Sequence, residues 1–375
     1  MIKRALGKTG IAVGEVGLGT EYLNGQSKAT VASVIGHAID SGVDYIDVLF
    51  SFPDYLDNLG AAMKGRRDGT VLAGHLGCAE TDGQYRRTRD LKECEANFED
   101  MLRRLGTDHV DVVFLQNCDE LDDYQGLIGP GGLLELAQRY RQQGKARFIG
   151  ISGHTVPVAL KAATSHLFDV FMFSINPAFD ALAGDADVLD ENAKSATESP
   201  NVATRKDVYL RCAAEGIAVV AMKAFAGGRL LSSDGGTPPL TPVQCLSYVL
   251  AQPAVATAVP GPKNLEELRA SLAYLHASEE EKDFGAAIAR PGWNVEGSCV
   301  YCNHCLPCPS LIDIGAVLRL LDSSAHGLSS ELASAYGDLS VKASACIECG
   351  ECMERCPFGV DVIEKLAQAA RVFER

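Results

Sequence analysis

Short apolar runs alternate with longer amphipathic stretches along most of the chain. Runs of roughly four to eight apolar residues are typical of buried strands, and apolar positions at helical spacing predict helices. The pattern predicts eight strands, at EVGLGT, VDYIDV, TVLAGHLG, VDVVFL, ARFIGIS, FDVFMF, IAVVAM and AVATAVP. It predicts one helix after each strand, at ATVASVIGHAID, PDYLDNLGAAMK, TRDLKECEANFEDMLRRLG, GGLLELAQRYRQQG, VPVALKAATSH, RKDVYLRCAAEG, TPVQCLSYVLAQ and NLEELRASLAYL.

This alternation predicts the fold class. Strands that are each followed by a helix, over roughly 260 residues, match the repeat and size of a (β/α)8 TIM barrel, an α/β fold. A doubly wound open sheet is the alternative. In a TIM barrel the chemistry lies at the carboxyl ends of the strands. Residues 181–203 are polar and aperiodic and lengthen the loop after the sixth strand, so we expect a lid over the barrel mouth or a disordered insert.

Two cysteine runs near the C-terminus contain eight of the 13 cysteines. The second run, CIECGECMERCP, has the spacing of bacterial ferredoxins, in which three thiolates bind one [4Fe-4S] cluster and the fourth reaches the neighbouring cluster. The first run, CVYCNHCLPCP, repeats this pattern one residue short. The spacing predicts two clusters with exchanged fourth ligands, one held by Cys299, Cys302, Cys305 and Cys356 and the other by Cys346, Cys349, Cys352 and Cys308.

Zinc is the alternative metal, because CxxC pairs also form tetrahedral zinc sites. Two complete runs, closed by Cys-Pro pairs at Pro309 and Pro357, favour iron–sulfur clusters. Between the runs, IGAVLRLLDSS and SSELASAYGDL predict two short amphipathic helices, so a small all-α ferredoxin-like domain is expected.

The chain is therefore predicted to consist of three parts. These are a barrel over residues 1–276, a linker over 277–297 and a ferredoxin domain over 298–375. The linker contains Trp293, which is expected either to anchor the small domain on the barrel or to cap the substrate opening.

Composition and charge narrow the classes of partner. A formal net charge of −15 at pH 7 disfavours nucleic acid and anionic membrane surfaces, because like charges repel. No apolar run approaches the length of a membrane span, and MIKRALGKTG lacks the apolar core of a signal peptide. We therefore expect a cytoplasmic protein that acts on a small molecule. In a reducing compartment the remaining cysteines are expected to be free thiols: Cys78, Cys94, Cys118, Cys212 and Cys245.

At the strand ends the sequence resembles the aldo-keto reductases, in particular their bacterial branch with a C-terminal ferredoxin domain. The resemblance covers nearly the whole chain and is carried by LGKTGIAVGEVGLGT, GVDYID, GKARFIGISGH, VVAMKAFAGG and AVPGPKNLEEL, in the family's order. It implies a carbonyl reductase in which an Asp, Tyr, Lys and His tetrad works with hydride from NADPH, the tyrosine hydroxyl supplying the proton.

Three of the four tetrad positions differ from the family pattern. Asp47 matches the aspartate, whereas the tyrosine position is Phe52, which has no proton to give, and nearby Tyr55 is expected to point elsewhere. The lysine position is His75 and the histidine position is Gln116. Asp47 and His75 together can act as a general acid, and Gln116 can orient a carbonyl. The alternative is a barrel that has lost catalysis and serves as a scaffold.

The resemblance also implies a cofactor site after strands five to eight, with Ser152 and Asn176 at the nicotinamide. Lys223, Gly261 and Lys263 are further candidate cofactor contacts. Backbone N–H groups and a lysine at the start of the last helix can hold a phosphate. However, the family's arginine for the adenosine 2′-phosphate aligns with Glu267, whose carboxylate repels a phosphate, and its adenine contact aligns with Ala270 and Ser271. Arg269 is close enough to compensate, so NADP(H) stays a candidate cofactor.

His154, in the Gly-His pair after strand five, is a second candidate proton donor. The alternative role for this side chain is that of a hydrogen-bonded structural histidine.

Three accounts of function follow from these features. In the first, the clusters exchange single electrons with a small substrate or cofactor in the barrel mouth; coupling them to nicotinamide hydride would need a flavin or a radical-tolerant substrate. In the second, the protein is an NADPH-dependent carbonyl reductase that uses His75 or His154 as the acid and has structural clusters. In the third, it is a non-catalytic electron-transfer or binding subunit that docks on a partner protein.

Overall fold

The computed structural model describes residues 1–81, 83–186, 202–232, 238–289, 297 and 299–374. Trp293 and most of the predicted lid, residues 187–201, lie outside these ranges. Within these ranges, no helix combines the length and the apolar character that a membrane crossing requires.

Twelve strands lie in the described ranges: β1 (Lys3–Ala5), β2 (Ala12–Gly14), β3 (Leu18–Gly19), β4 (Tyr45–Val48), β5 (Val71–Leu76), β6 (Cys78–Thr81), β7 (Gln84–Arg87), β8 (Val110–Leu115), β9 (Ala146–Gly153), β10 (Val170–Ser174), β11 (Ala218–Met222) and β12 (Val255–Ala258). Strands β1 and β2 pair as an antiparallel hairpin before the barrel, and β6 and β7 pair as a second hairpin after β5.

The other eight strands form one parallel sheet in the order of the chain, from β3 to β12. The sheet closes on itself, because Val16 pairs with Ala258 and the N–H of Gly17 donates to the carbonyl of Ala258 over 2.8 Å. All eight strands lie where the sequence predicts them. This closure confirms the (β/α)8 barrel and rules out the open sheet.

Sixteen α-helices lie in the described ranges: α1 (Lys28–Asp40), α2 (Pro53–Met63), α3 (Leu91–Leu105), α4 (Leu121–Ile128), α5 (Leu133–Gln142), α6 (Val156–Ala163), α7 (Pro177–Asp180), α8 (Arg205–Glu215), α9 (Pro242–Ala251), α10 (Leu265–Leu272), α11 (Glu279–Lys282), α12 (Gly285–Ile288), α13 (Ile314–Ser323), α14 (Ser330–Gly337), α15 (Glu351–Arg355) and α16 (Val362–Phe373). Helix α8 shows why these segments start and stop where they do. Thr204 and Asp207 form a capping box at its start, and Gly216, with a φ of 67°, ends it.

Two apolar layers hold the barrel together, as strand β8 illustrates. Val112 and Phe114 belong to the cluster inside the barrel, whereas Val113 and Leu115 pack in the layer between strands and helices. This alternation follows from the two-residue period of a strand. Gly150 on the neighbouring strand allows it, because a Cβ there would lie 2.4 Å from the Phe114 ring.

Several elements before residue 277 were not predicted from the sequence, among them the β1–β2 hairpin, the β6–β7 hairpin, helix α4 and helix α7. The β6–β7 hairpin follows β5, and helix α4 precedes the predicted helix α5. In the C-terminal region, α13 and α14 lie where two helices were expected between the cysteine runs, which confirms an all-α domain. Helices α11 and α12 lie within the predicted linker; the boundaries of the three parts stay a prediction.

Candidate functional site

Asp47 and His75 form a buried pair at the carboxyl ends of β4 and β5. The Nε2 atom of His75 lies 2.9 Å from Oδ1 of Asp47, and the His75 ring stacks on Phe114, with 5.2 Å between ring centroids. The His75 side chain is 1% exposed and that of Asp47 is 10% exposed. Nδ1 of His75 is also buried and has no partner among the described residues. A proton on His75 can therefore reach a molecule in the mouth most directly through the Asp47 carboxylate.

Gln116 belongs to a directed chain of hydrogen bonds. The N–H of Asn117 donates to Oγ of Ser152 over 2.9 Å, and the Ser152 hydroxyl donates to Oε1 of Gln116 over 3.0 Å. The amide nitrogen of Gln116 is then left to donate. A side-chain hydrogen bond with Gln116 acts to lower the pKa of Tyr85. Ser152, a predicted cofactor contact, thus already serves to orient Gln116.

An aromatic wall lies beside the Asp47–His75 pair. The Phe50 ring is surrounded by Phe52 at 5.1 Å, Tyr55 at 6.0 Å and Tyr85 at 5.5 Å. The buried Tyr55 hydroxyl bonds with the Thr20 hydroxyl and makes no hydrogen bond to Asp47 or His75. Tyr85, which comes from the β6–β7 hairpin, is 38% exposed. It therefore brings a phenol to the mouth from an element that the sequence pattern did not reveal.

Burial raises the pKa of Tyr85 to about 12, so its hydroxyl holds its proton at neutral pH. The dipeptide Asp82-Gly83 is a common hairpin signal, and it would have indicated the turn that precedes Tyr85.

His154 is held by a carboxylate. Its Nδ1 lies 2.9 Å from Oδ2 of Asp119, and its backbone N–H donates to the other carboxylate oxygen. Burial acts to raise the pKa of Asp119, but the His154 hydrogen bond and charge outweigh it and the pKa is lowered. With Nδ1 directed at Asp119, Nε2 of His154 is the ring nitrogen left for a ligand. This geometry suits both roles that the sequence left open.

The rim of the mouth carries both signs of charge. The pKa of Glu21, an exposed residue just after β3, is raised by partial burial of its carboxylate and by Asp47, while the Lys223 and His154 charges oppose the rise. These four side chains are therefore electrostatic neighbours. Lys223 follows β11 in a left-handed conformation, with a φ of 58°. Glu21 was missed from the sequence, because no motif marks it.

The remaining predicted nucleotide contacts are partly engaged by the protein itself. Asn176 donates to the Lys223 carbonyl over 3.0 Å and accepts from the Phe179 N–H over 2.9 Å, which caps α7. At the start of α10, the N–H of Lys263 donates to the Glu267 carboxylate over 2.8 Å. A phosphate at this helix terminus would have to displace that carboxylate.

The neighbouring Gly261 and Lys263 lie against one aromatic ring. A Cβ on Gly261 would lie 2.9 Å from the Tyr22 ring, and Nζ of Lys263 lies 5.5 Å from the centre of the same ring.

Four of the predicted cluster ligands line one cavity, although they come from both runs: Cys299, Cys302, Cys305 and Cys356. Apolar residues close the cavity, among them Leu318 and Phe358. Among the described residues, no three His, Cys, Asp or Glu side chains converge closely enough to hold a single metal ion. The sulfurs surround a space instead, and thiolate donors around an apolar space fit an iron–sulfur cluster.

The backbone of the cysteine loops turns N–H groups toward sulfur. The N–H groups of Tyr301 and His304 interact with the thiols of Cys299 and Cys302, two residues earlier in each case. In the second run the N–H of Glu348 lies 3.4 Å from Sγ of Cys346. Hydrogen bonds of this kind stabilise thiolates and tune cluster potentials. Cys349 of this run is exposed and Cys352 is buried.

The first turn of α8 connects the cysteine loops to the barrel mouth. Arg205 is 2% exposed; it donates to the His154 carbonyl over 2.7 Å and to Oγ of Ser174 over 2.8 Å. Lys206, the next residue, donates to the Cys299 carbonyl over 3.1 Å. It also pairs with Asp322 on α13 over 2.8 Å. Consecutive side chains therefore reach the mouth and the first cysteine loop.

Two family models match the chain. The aldo/keto reductase family model matches residues 11–244, and the 4Fe-4S dicluster domain model matches residues 298–361. Together with the barrel and the cysteine loops, these matches define an iron–sulfur oxidoreductase. The chain belongs to the aldo/keto reductase family. The predicted resemblance is thus confirmed, and the dicluster match favours iron–sulfur clusters over zinc.

Individual relatives agree with this assignment. The chain is 27% identical over 300 residues to the uncharacterized oxidoreductase YqkF of Bacillus subtilis (strain 168), covering 75% of this chain and 94% of that protein. It is 26% identical over 161 residues to the aldo-keto reductase YhdN of the same organism, covering 40% and 47%. The structure of the aldo-keto reductase AKR11C1 from Bacillus halodurans, in its holo form, shares the fold with a TM-score of 0.58 at 22% identity, covering 76% of this chain and 95% of that one.

Proposed function

We propose that this oxidoreductase carries two [4Fe-4S] clusters and couples them to oxidation or reduction of a small organic substrate in the barrel mouth. The observation that carries the proposal is the connection through α8. Lys206 holds the carbonyl of Cys299, and Arg205 holds the carbonyl of His154. A predicted cluster ligand and a candidate proton donor are thus joined through two adjacent residues, which supports exchange of electrons between the two regions.

The cavity shared by the two cysteine runs supports the exchanged ligand sets. One cluster would be held by the four cysteines that line this cavity, and the other by Cys308, Cys346, Cys349 and Cys352. The clusters supply one-electron transfer when bound. The exposure of Cys349, together with that of the apolar Leu311 and Ile347, supports a redox partner protein that docks near the second cluster.

The barrel residues supply proton handling and orientation. Ser152 holds Oε1 of Gln116, and the amide nitrogen, which bonds with Tyr85, is the group that can donate to a substrate oxygen. Asp47 with His75, and His154 with Asp119, are two separate acid and base pairs at the strand ends. The aromatic wall around Phe50 excludes water from one side. These features favour a substrate with a carbonyl or hydroxyl group on a small organic body.

A second candidate function is an NAD(P)H-dependent carbonyl reductase with structural clusters. Family membership favours it, as do Lys223 at the rim and Lys263 beside the Tyr22 ring. The Glu267 carboxylate occupies the N-terminus of α10, so we expect no preference for NADPH over NADH. A flavin would be needed only if nicotinamide and the clusters exchange electrons directly.

One anaerobic experiment separates these functions. The purified protein is titrated with NADH and NADPH while cluster absorbance is recorded, and aldehyde turnover is then measured. Bleaching of the clusters that substrate reverses supports electron coupling. Aldehyde turnover with unchanged cluster absorbance supports the second function. If chemically reduced clusters are not reoxidised by any carbonyl compound or by a ferredoxin-type acceptor, the first proposal is wrong.

A further inference from the structure

A groove of about 540 Å³ lies between the barrel and the cysteine-rich domain. Its position follows from Arg4 on β1, which donates to the carbonyls of Leu250 and Val255, where α9 passes into β12. Parallel strands place these residues at the amino-terminal end of the barrel, opposite the mouth. The other wall comes from the loop of Cys302 and from Arg319 on α13. The groove is therefore separate from the candidate active site.

Two arginines, Arg4 and Arg319, line this groove. Nε of Arg319 is buried without a hydrogen-bond partner, and no described carboxylate forms an ion pair with this side chain. Its guanidinium stacks on the Tyr301 ring at 5.3 Å. Burial lowers the pKa of Arg319 and the positive charge of Arg4 adds to this, although Tyr301 and Asp313 act to raise it. Arg4 forms an ion pair with the buried Glu15 over 3.3 Å, whereas Arg319 has no carboxylate partner among the described residues, and a largely buried cation without such a partner is costly.

A second unsatisfied group points to the same space. The hydroxyl of Ser247, on the groove-facing side of α9, is buried and has no partner in the described structure. The apolar part of the lining comes from Tyr274, Phe284 and Tyr301. Buried hydroxyls in proteins normally have partners, so this one is available to a ligand.

Of the three carboxylates that line the groove, Asp283 has close partners and the two glutamates lie on an exposed helix. Asp283 lies 3.0 Å from Nε2 of His304 and accepts from the N–H of Gly285. Glu279 lies 4.0 Å from Nζ of Lys282, and Glu280 is exposed on the same short helix. Because Glu15 compensates the charge of Arg4, the positive charge left without a carboxylate partner at this end of the groove is that of Arg319.

We propose that this groove binds a small organic oxyanion, a carboxylate or a phosphate ester, at the guanidinium group of Arg319, next to Arg4. Guanidinium groups bind such oxyanions through paired hydrogen bonds, and aromatic rings pack against the organic part. The ligand spans the two domains and lies beside Cys302. If Cys302 holds a cluster, which rests on the proposed function, the negative charge of a bound anion makes reduction of that cluster less favourable. Reduction then weakens anion binding by the same factor.

Binding is tested by calorimetry on anaerobically purified holoprotein at low ionic strength, with inorganic phosphate and citrate as separate probes. Wild type is compared with Arg319→Met, Arg319→Lys and the control Arg103→Met, which removes an exposed arginine on α3. We expect saturable binding of at least one probe, at least tenfold weaker in Arg319→Met and unchanged in Arg103→Met. The probe that binds identifies phosphate or carboxylate.

Arg319→Lys keeps the positive charge but loses the planar guanidinium group with its paired N–H donors. We expect this variant to fold normally and to bind the probe more weakly than wild type. The proposal is overturned if neither probe binds wild type at 10 mM, roughly the weakest useful range for a cellular ligand, or if both Arg319 variants bind as tightly as wild type.

The redox link is measured separately, by a spectroscopic potential titration with and without the bound probe. We expect a lower cluster potential with the anion in wild type and no shift in Arg319→Met. If the probe binds wild type and the cluster potential is the same with and without it, the proposed redox link is wrong. This result would not bear on electron exchange with the barrel, which is tested by reoxidation of the clusters.

Discussion

The ring of Tyr85 lies 5.5 Å from that of Phe50, on the wall to which Phe52 also belongs. Tyr85 thus carries a phenol beside the position where the family resemblance implies one and Phe52 lacks it. We predict that Tyr85→Phe lowers turnover by roughly 10²-fold, the typical contribution of a general acid. The measurement is kcat at constant cluster content.

The control for this change is Tyr55→Phe, which removes the buried hydroxyl bonded to Thr20. It should lower the melting temperature and leave turnover nearly unchanged. Equal turnover in Tyr85→Phe and wild type would exclude Tyr85 as a proton donor.

Asp47→Asn tests the buried pair. The amide can still bond to His75 but cannot carry the proton between the ring and the mouth. We expect a loss of about 10²-fold in kcat and a change in the pH profile of kcat. His154→Gln, measured in parallel, decides between the two candidate donors. If only His154→Gln changes the pH profile, the Asp47–His75 assignment is wrong.

Lys206→Met tests the connection to the cysteine loop. Lys206 donates to the Cys299 carbonyl, so losing its charge should make reduction of the nearby cluster harder. We expect its potential to fall by roughly 50 mV, equivalent to about 1 kcal/mol for one electron. Lys365→Met is the matched control, because Lys365 also contacts Asp322 at 3.4 Å but makes no hydrogen bond to the loop. Equal shifts in both variants would contradict a specific role for Lys206.

Cysteine variants test the exchange of ligands between the runs. Cys356→Ser should perturb the cluster of the first run, because Cys356 lines the cavity with Cys299, Cys302 and Cys305. Cys349→Ser should perturb the other cluster. The measurement is iron and sulfide content together with the electron paramagnetic resonance of each reduced variant. Loss of the same signal in both would show that each run holds its own cluster.

Asp322 links the stability of the small domain to pH. Burial acts to raise its pKa, but Lys206, Tyr301 and Lys365 outweigh burial and the pKa is lowered. The carboxylate therefore stabilises the fold above the unfolded pKa of about 3.9, and this stability is lost as pH falls through the folded pKa. We expect Asp322→Asn to cost about 2 kcal/mol at pH 7. The gap between the melting temperatures of variant and wild type should shrink at pH 3, roughly one unit below the unfolded pKa.

The barrel was predictable because its signal is local and repeated. Each strand buries both faces and each helix buries one, so the two periodicities alternate along the chain. The hairpin of Tyr85 was missed because its segment carries few apolar residues and is held by distant contacts, such as the hydrogen bond of Arg87 to the Asn117 carbonyl. Helix α4 carries apolar residues at helical spacing, but its eight residues give only a short signal.

The candidate site was only partly predictable. Asp47, His75 and Gln116 follow strand ends, so their positions could be deduced from the fold. The partners that define their chemistry come from other segments, as Asp119 does for His154 and Ser152 for Gln116. Sequence spacing does not reveal such long-range pairs. The roles of these residues stay predictions.

The exposure of Cys349 has a practical consequence for handling the protein. If the Cys349 thiolate ligates the second cluster, dioxygen and peroxide reach that cluster first. Cys352 and the cavity lined by cysteines of both runs are shielded from them. Protein purified in air would then retain one [4Fe-4S] cluster per chain and lose the other. Its iron content would be lower than that of the protein in the cell.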